Sequence, residues 1–246
     1  MSDIRWSGAD VRTDEAQQLI DRSATDVVPL AIVSAMHLCL VGAQAYSMFD
    51  EVPARAYGKM SRRRRRQFVE AGIPSLLGRG LLLPPEDGGD EYPVSPEFGL
   101  VLAAMAGPPF VAVAPAGNGR SLKVFPIAGP AEPVRAMVVE VPTSVPHPKR
   151  DFGPLGALYD YQLMSPPMAA QLLAEFVIRP AAAPRTVIVV RPGREPLQQT
   201  VTVRGDGTTA GLLGPDGQPA GAPVDKAGLA EVIGAAFATG PGDAAR

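Results

Sequence analysis

The chain has 246 residues, 46% of them hydrophobic, and a formal net charge of −2, which suffices for one large domain or two modest ones whose core needs no disulfide or metal. That charge supplies no global positive field for a phosphate backbone, so nucleic-acid binding would have to rest on a local patch. Cys39 is the single cysteine; an intrachain disulfide is excluded and a reducing compartment fits.

The N-terminal MSDIRWSGADVRTDEAQQ lacks the basic region, apolar run and small-residue cleavage site of a secretory signal, and a cytoplasmic location is expected. Thr13 is placed to cap a first helix carrying Ala16, Leu19 and Ile20 at helical spacing, with a break near Ser23 to Asp26. The most apolar run, Val27 to Gly42, is short for a bilayer and contains Pro29 and His37, so no membrane span is expected. Its Ile32, Val33, Met36 and Leu40 predict a nearly buried helix. Within it Cys39 reads as a small buried hydrophobe, and His37 as a hydrogen-bonded core histidine, since no Glu or second His stands four residues away to complete a metal pair.

From Ser61 to Pro109 the spacing predicts helix, short helix, hairpin and helix. Arg62, Arg63, Arg64, Arg65 and Arg66 open the first helix, which should end at Gly72, and Pro74 should start the second. Leu81 to Leu83 and Glu91 to Val94 flank the turn formers PPEDGGD, as in a small exposed hairpin. Ser95, Pro96 and Glu97 make a helix start, with Phe98, Val101, Leu102 and Met105 on one face.

Beyond Phe110 the period shifts to that of strands: Phe110 to Ala114, Leu122 to Ile127 and Val134 to Val141 predict an antiparallel meander. A connector with His147 leads to FGPLGALYDYQLM, where Leu155, Leu158, Tyr159, Tyr161 and Leu163 have no packing partner by pattern and stand as a candidate apolar partner-binding set. Ser165, Pro166 and Pro167 repeat the helix start, with Ala169, Leu172, Leu173 and Phe176 following. Strands Val187 to Val190, Leu197 to Arg204 and Thr208 to Leu213 then form a second meander. Asp225 caps a last helix.

VSPEFGLVLAAMAGPP before one set of strands and MSPPMAAQLLAEFVIRP before the other form an internal echo. The expected fold is therefore α+β, with largely antiparallel sheet, helices at the N-terminus, middle and C-terminus, and a quasi-two-fold arrangement. It would occupy one domain over 1–239, with halves at about 60–145 and 150–239 and a disordered tail at 240–246.

No GxGxxG, Gly-Lys-Ser/Thr phosphate loop, HExxH, paired CxxC or GxSxG occurs. Only His37 and His147 join Cys39 as raw material for triads or soft-metal sites. The expectation is no catalytic residue, no cofactor and no metal. The run Arg62 to Arg66 is the sharpest local feature. As a basic patch it would suit a winged-helix DNA-binding regulator, but Glu86, Asp87, Asp90 and Glu91 put negative charge on the wing, which repels phosphate. A solvated helix face is the simpler account of the arginines.

The succession Leu76-Leu77-Gly78-Arg79-Gly80-Leu81, an acidic-Gly turn, Val94-Ser95-Pro96, an amphipathic helix and Pro108-Pro109 before strands resembles the actinobacterial EspG family of ESX (type VII) secretion-associated proteins. The Val187 to Leu213 strands and the closing helix are similar to that family's C-terminal half. The resemblance implies a non-enzymatic, cytosolic chaperone that binds helical secretion substrates of the PE/PPE type. Phe152 to Met164 departs from the family pattern, and the arginine run is denser than it.

Overall fold

The computed structural model describes residues 6–7, 14–43, 46, 49–85, 91–117, 120–127, 134–143, 153–192 and 197–238. The acidic turn at 86–90, the hairpin turn at 118–119, the connector at 144–152 with His147, and the tail from 239 lie outside the described residues. Two interleaved units make up the chain: one comprises 1–23, 27–107 and 140–163, the other 24–26, 108–139 and 164–246. No described helix is long and apolar enough to cross a membrane.

In the first unit β1 (Trp6–Ser7) precedes α1 (Asp14–Arg22), whose Ala16 and Ile20 are buried one turn apart. The apolar run that helical spacing assigns to one helix is divided instead into β2 (Val28–Ser34) and α2 (Ala35–Leu40). Ser34 causes the division. Its hydroxyl accepts from the His37 amide and His37 Nδ1 accepts from the Ser34 amide, a reciprocal cap that starts a helix wherever it forms. Upstream, the β-branched VPLAIVS is free to extend and pair with a distant strand.

α3 (Glu51–Gly58) follows, then α4 (Arg62–Gly78), a single helix where two are expected. Gly72 does not end it. A Cβ there would meet Leu40 Cδ1 at 2.1 Å, so this glycine lets α4 approach α2 closely. Pro74 sits within the helix on its exposed side, where the Glu70 carbonyl it leaves without an amide partner can be hydrated. Of the expected hairpin, the described residues show the antiparallel bridge Leu82 to Val94, while β3 (Tyr92–Pro93) pairs in parallel with β1.

α5 (Pro96–Ala106) starts as its sequence dictates, with Ser95 Oγ accepting from the Phe98 amide. Phe98, Leu100, Val101, Leu102 and Met105 are all buried, because α5 lies against β2 and α1 and has little free face.

Next come β4 (Val111–Gly117), β5 (Arg120–Ile127), β6 (Ala136–Pro142), a 3-10 turn (Gly153–Gly156) and β7 (Leu158–Met164). α6 (Pro166–Ile178) leads to β8 (Arg185–Arg191), β9 (Leu197–Gly205), β10 (Thr209–Leu213), β11 (Val224–Asp225) and α7 (Lys226–Ala238). The nine-stranded sheet has the order β11-β10-β9-β8-β4-β5-β6-β7-β2. β4 and β8 are adjacent and antiparallel, with Val111 opposite Val190 and Val113 opposite Ile188.

Outward from that pair, β4-β5-β6 runs one way and β8-β9-β10 the other, each series preceded in the chain by a helix that starts at Ser-Pro, although only Ser95, and not Ser165, makes the side-chain cap hydrogen bond. The fold is thus α+β, with a largely antiparallel sheet. In the second unit α6 and α7 pack together and against β4, β8 and β9, burying Ala169, Leu173, Val177, Leu229 and Ile233.

Candidate functional site

The expected partner-binding set is mostly interior. Leu155, Tyr159, Tyr161 and Leu163 are 2%, 7%, 0% and 0% exposed, and Leu158 is half-buried. The segment that pattern leaves unpaired forms β7, whose period of two directs Tyr159, Tyr161 and Leu163 into the core of the first unit. Its pairing with β2 covers the edge that sequence alone leaves open, Ala31 lying opposite Tyr161 and Val33 opposite Tyr159.

These tyrosines secure two carboxylates. Tyr161 donates to Glu140 Oε2 at 2.7 Å and lies 3.8 Å from Met105 Sδ; Glu140 is 2% exposed. Tyr159 donates to Asp50 Oδ2 at 2.7 Å, tying β7 to the start of α3. Burial first, then the neighbouring carboxylates, push both phenols far above the ordinary tyrosine range. They therefore act as neutral hydrogen-bond donors at any physiological pH. Burial likewise pushes the Cys39 thiol up to about 12, the opposite of what a nucleophile needs. His37 Nε2 lies 3.1 Å from Ser75 Oγ while Nδ1 faces the Ser34 amide, so the ring links α2 to α4. Among the described residues no group of three or more His, Cys, Asp or Glu is arranged to hold a metal ion.

The arginine run divides by task. Arg65 turns inward, donating from Nη2 to the Gly58 carbonyl at 2.8 Å with its guanidinium 5.4 Å from the Tyr57 ring centre. Arg66 pairs with Glu70 at 3.0 Å one turn along α4. Arg64 reaches over Phe68 at 6.0 Å. Arg62 and Arg63 project from the exposed first turn.

A third feature lies wholly within the second unit. A cavity of about 700 Å³ runs between α6 and α7 over the start of β4, lined chiefly by Phe110, Met137, Ala170, Ala230, Gly234 and Phe237. Small side chains create it: Ala227, Ala230, Gly234 and Ala238 follow one another along α7, and opposite Gly234 stands Ala170, 3.9 Å from where a Cβ would be. Phe110 and Phe237 stack at 5.5 Å and 20° on one side of it. Gln171 and Glu231 stand at the rim, both exposed.

β8 holds both helices in place by their last carbonyls. At its start Arg185 donates to the Phe176 carbonyl at 2.7 Å and covers the Phe176 ring. At its end Arg191 donates to the Ala236 carbonyl at 2.6 Å and the Phe237 carbonyl at 3.2 Å, with its guanidinium 5.5 Å from the Phe110 ring centre. Cations suit these positions because helix C-termini carry unpaired carbonyls and negative dipole ends.

Comparison with protein-family models, curated proteins and solved structures finds no match for this chain. Of the residues singled out from sequence, Arg62 and Arg63 lie on the surface of the first unit and the β7 set inside it. The cavity is not legible in the sequence because the residues that open it, Ala170 on α6 and Ala227, Ala230, Gly234 and Ala238 on α7, look like ordinary helix packing. The one signal was the recurrence of Ala and Gly along α7 where a closing helix would carry larger side chains.

Proposed function

We propose that this chain is a non-enzymatic cytosolic binding protein or chaperone whose ligand is an apolar helical partner. The observation that carries this is the α6–α7 cavity, about 700 Å³ and predominantly apolar, within the roughly 300–1,000 Å³ over which proteins bury ligand groups. Apolar side chains recurring along one face of a partner helix would fill it, and the exposed Gln171 and Glu231 at its rim would contact that helix's polar flank. Phe110 and Phe237, steadied by Arg191, offer the rigid aromatic surface at which binding energy concentrates. The resemblance to EspG proteins adds the class of partner: a PE/PPE-type secretion substrate.

Co-expression with helical proteins encoded beside this gene, followed by capture on the tagged chain, tests the proposal. Retention of one such partner is expected, and Ala227→Trp, an exposed position lining the cavity, should abolish it without changing the fold. A monodisperse chain that retains none of them, or retention indifferent to Ala227→Trp, refutes it.

A further inference from the structure

The arginine run on α4 has no role in the α6–α7 cavity, and its side chains are only partly used by the fold. Arg65 and Arg66 are engaged with Gly58, Tyr57 and Glu70. Arg62 and Arg63 make no hydrogen bond or ion pair among the described residues, and both are exposed, as are Arg64 and Lys59 at the end of α3. No acidic residue occupies the first turn of α4, so these cations repel one another and the positive end of the helix dipole without local compensation. The packing of Arg65 on Tyr57 holds the start of α4 against the end of α3, which gathers Lys59, Arg62, Arg63 and Arg64 on adjoining turns.

We infer that this patch is a docking surface for a short acidic segment of a partner protein, recognised by paired guanidinium–carboxylate hydrogen bonds. Three observations select that occupant among anions. The exposed cations are few, Lys59, Arg62, Arg63 and Arg64 at the adjoining ends of α3 and α4, and can neutralise only a handful of the phosphates of an extended duplex, whose non-specific binding comes from such neutralisation. The chain as a whole is negative even with all five arginines counted, so an extended polyanion or an anionic vesicle is repelled away from the patch while a short peptide is not. Arg66 and Arg55 are already paired with Glu70 and Glu51, so the cations left for an anion do not extend along either helix, which limits the length of anion the patch accepts. Guanidinium forks match carboxylates in plane and spacing, giving a contact with geometry as well as charge. This surface is independent of the cavity, and either can fail without the other.

The test is fluorescence anisotropy of a labelled oligoglutamate peptide against the full chain, beside a labelled DNA duplex and phosphatidylserine-containing vesicles. Peptide binding is expected to weaken about tenfold or more in Arg62→Glu/Arg63→Glu, and to fall as salt shortens the screening length from about 10 Å at 0.1 M. Arg204→Glu, an exposed reversal on β9, should leave it unchanged. Both exchanged positions in the double variant are exposed, and acids suit a helix start, so its melting temperature should not fall. Absence of peptide binding, binding indifferent to the double reversal, an equal loss in Arg204→Glu, or tighter binding of the duplex or the vesicles than of the peptide overturns the inference.

Discussion

Gly205 is the position where a single added carbon should do most damage. It ends β9 where that strand passes the last turn of α6, and a Cβ there would lie 2.1 Å from the Ile178 carbonyl oxygen, 2.5 Å from its carbon and 2.7 Å from its Cα. All three neighbours are backbone, so no rotamer change relieves the clash. To restore ordinary contact β9 and α6 must separate by about 1 Å, an overpacking cost of about 1–3 kcal/mol. The same movement strains the hydrogen bond from the Gly207 amide to the Ile178 carbonyl, 2.9 Å long, worth a further ~0.5–1.5 kcal/mol. Against this, alanine gains about 0.5–1 kcal/mol over glycine in an extended segment. Gly205→Ala should therefore destabilise by about 0.5–4 kcal/mol, with the middle of the range at about 2, lowering the melting temperature by roughly 1–16 °C for a chain this size. Gly211→Ala on β10, where the nearest atom is 3.9 Å away, is the control and should be neutral or slightly stabilising. Thermal unfolding followed by circular dichroism decides: equal melting temperatures for the two variants would refute the steric argument.

Tyr161→Phe removes a donor from the buried Glu140 carboxylate and should cost about 1.5–3 kcal/mol in urea unfolding, the range for hydrogen bonds to charged groups; an unchanged midpoint would show that the bond contributes nothing. Cys39, with its thiol raised to about 12, should resist a disulfide reagent at pH 8 in the native chain and react at once in denaturant. Because the folded state holds that proton more tightly, its contribution to stability is complete below about pH 9 and declines as pH climbs from there toward 12, a trend that Cys39→Ala should lack. Asp206 shows the reverse case. Four hydrogen bonds from Thr208 and Thr209 hold its carboxyl far below the ordinary range, so its contribution is present above about pH 4 and lost on further acidification, which Asp206→Asn should blunt. Arg79 donates to the Ile32 carbonyl at 2.6 Å on the outermost strand; Arg79→Ala should leave the monomer folded yet raise concentration-dependent association by light scattering, and added Ile32→Lys should suppress it.

The second half of the chain was readable because its signals are local. Helix α6 announces itself by a Ser-Pro start and apolar spacing, β9 by its alternation, and β10 by the Gly205-Asp206-Gly207 turn that precedes it. The first half depends on distant partners. Val28 to Ser34 has the composition of a buried helix or a buried strand; the Ser34 cap frees it from α2, and pairing with β7, far along the chain, makes it a strand. β7 itself looked unpartnered for the same reason. Gly72 looked like a helix end because a glycine required by Leu40 cannot be told by sequence from one required by a left-handed turn. α3, with its short weakly amphipathic EVPARAYG, carried no pattern to find. Of the functional candidates, the arginines were visible as a run but not their division of labour, which is set by Tyr57 and Glu70.

The pairing of β2 with β7 also has a consequence in time. The two strands lie roughly 130 residues apart in the chain, and synthesis at about 5–20 residues per second separates their emergence by on the order of ten seconds. For that interval β2, with Val28, Leu30 and Val33 destined for the interior, leaves the ribosome without its neighbour. The first unit can close only after the 108–139 segment of the second has been made, so a ribosome stalled before β7 would hold an apolar strand open to chaperones or to other nascent chains.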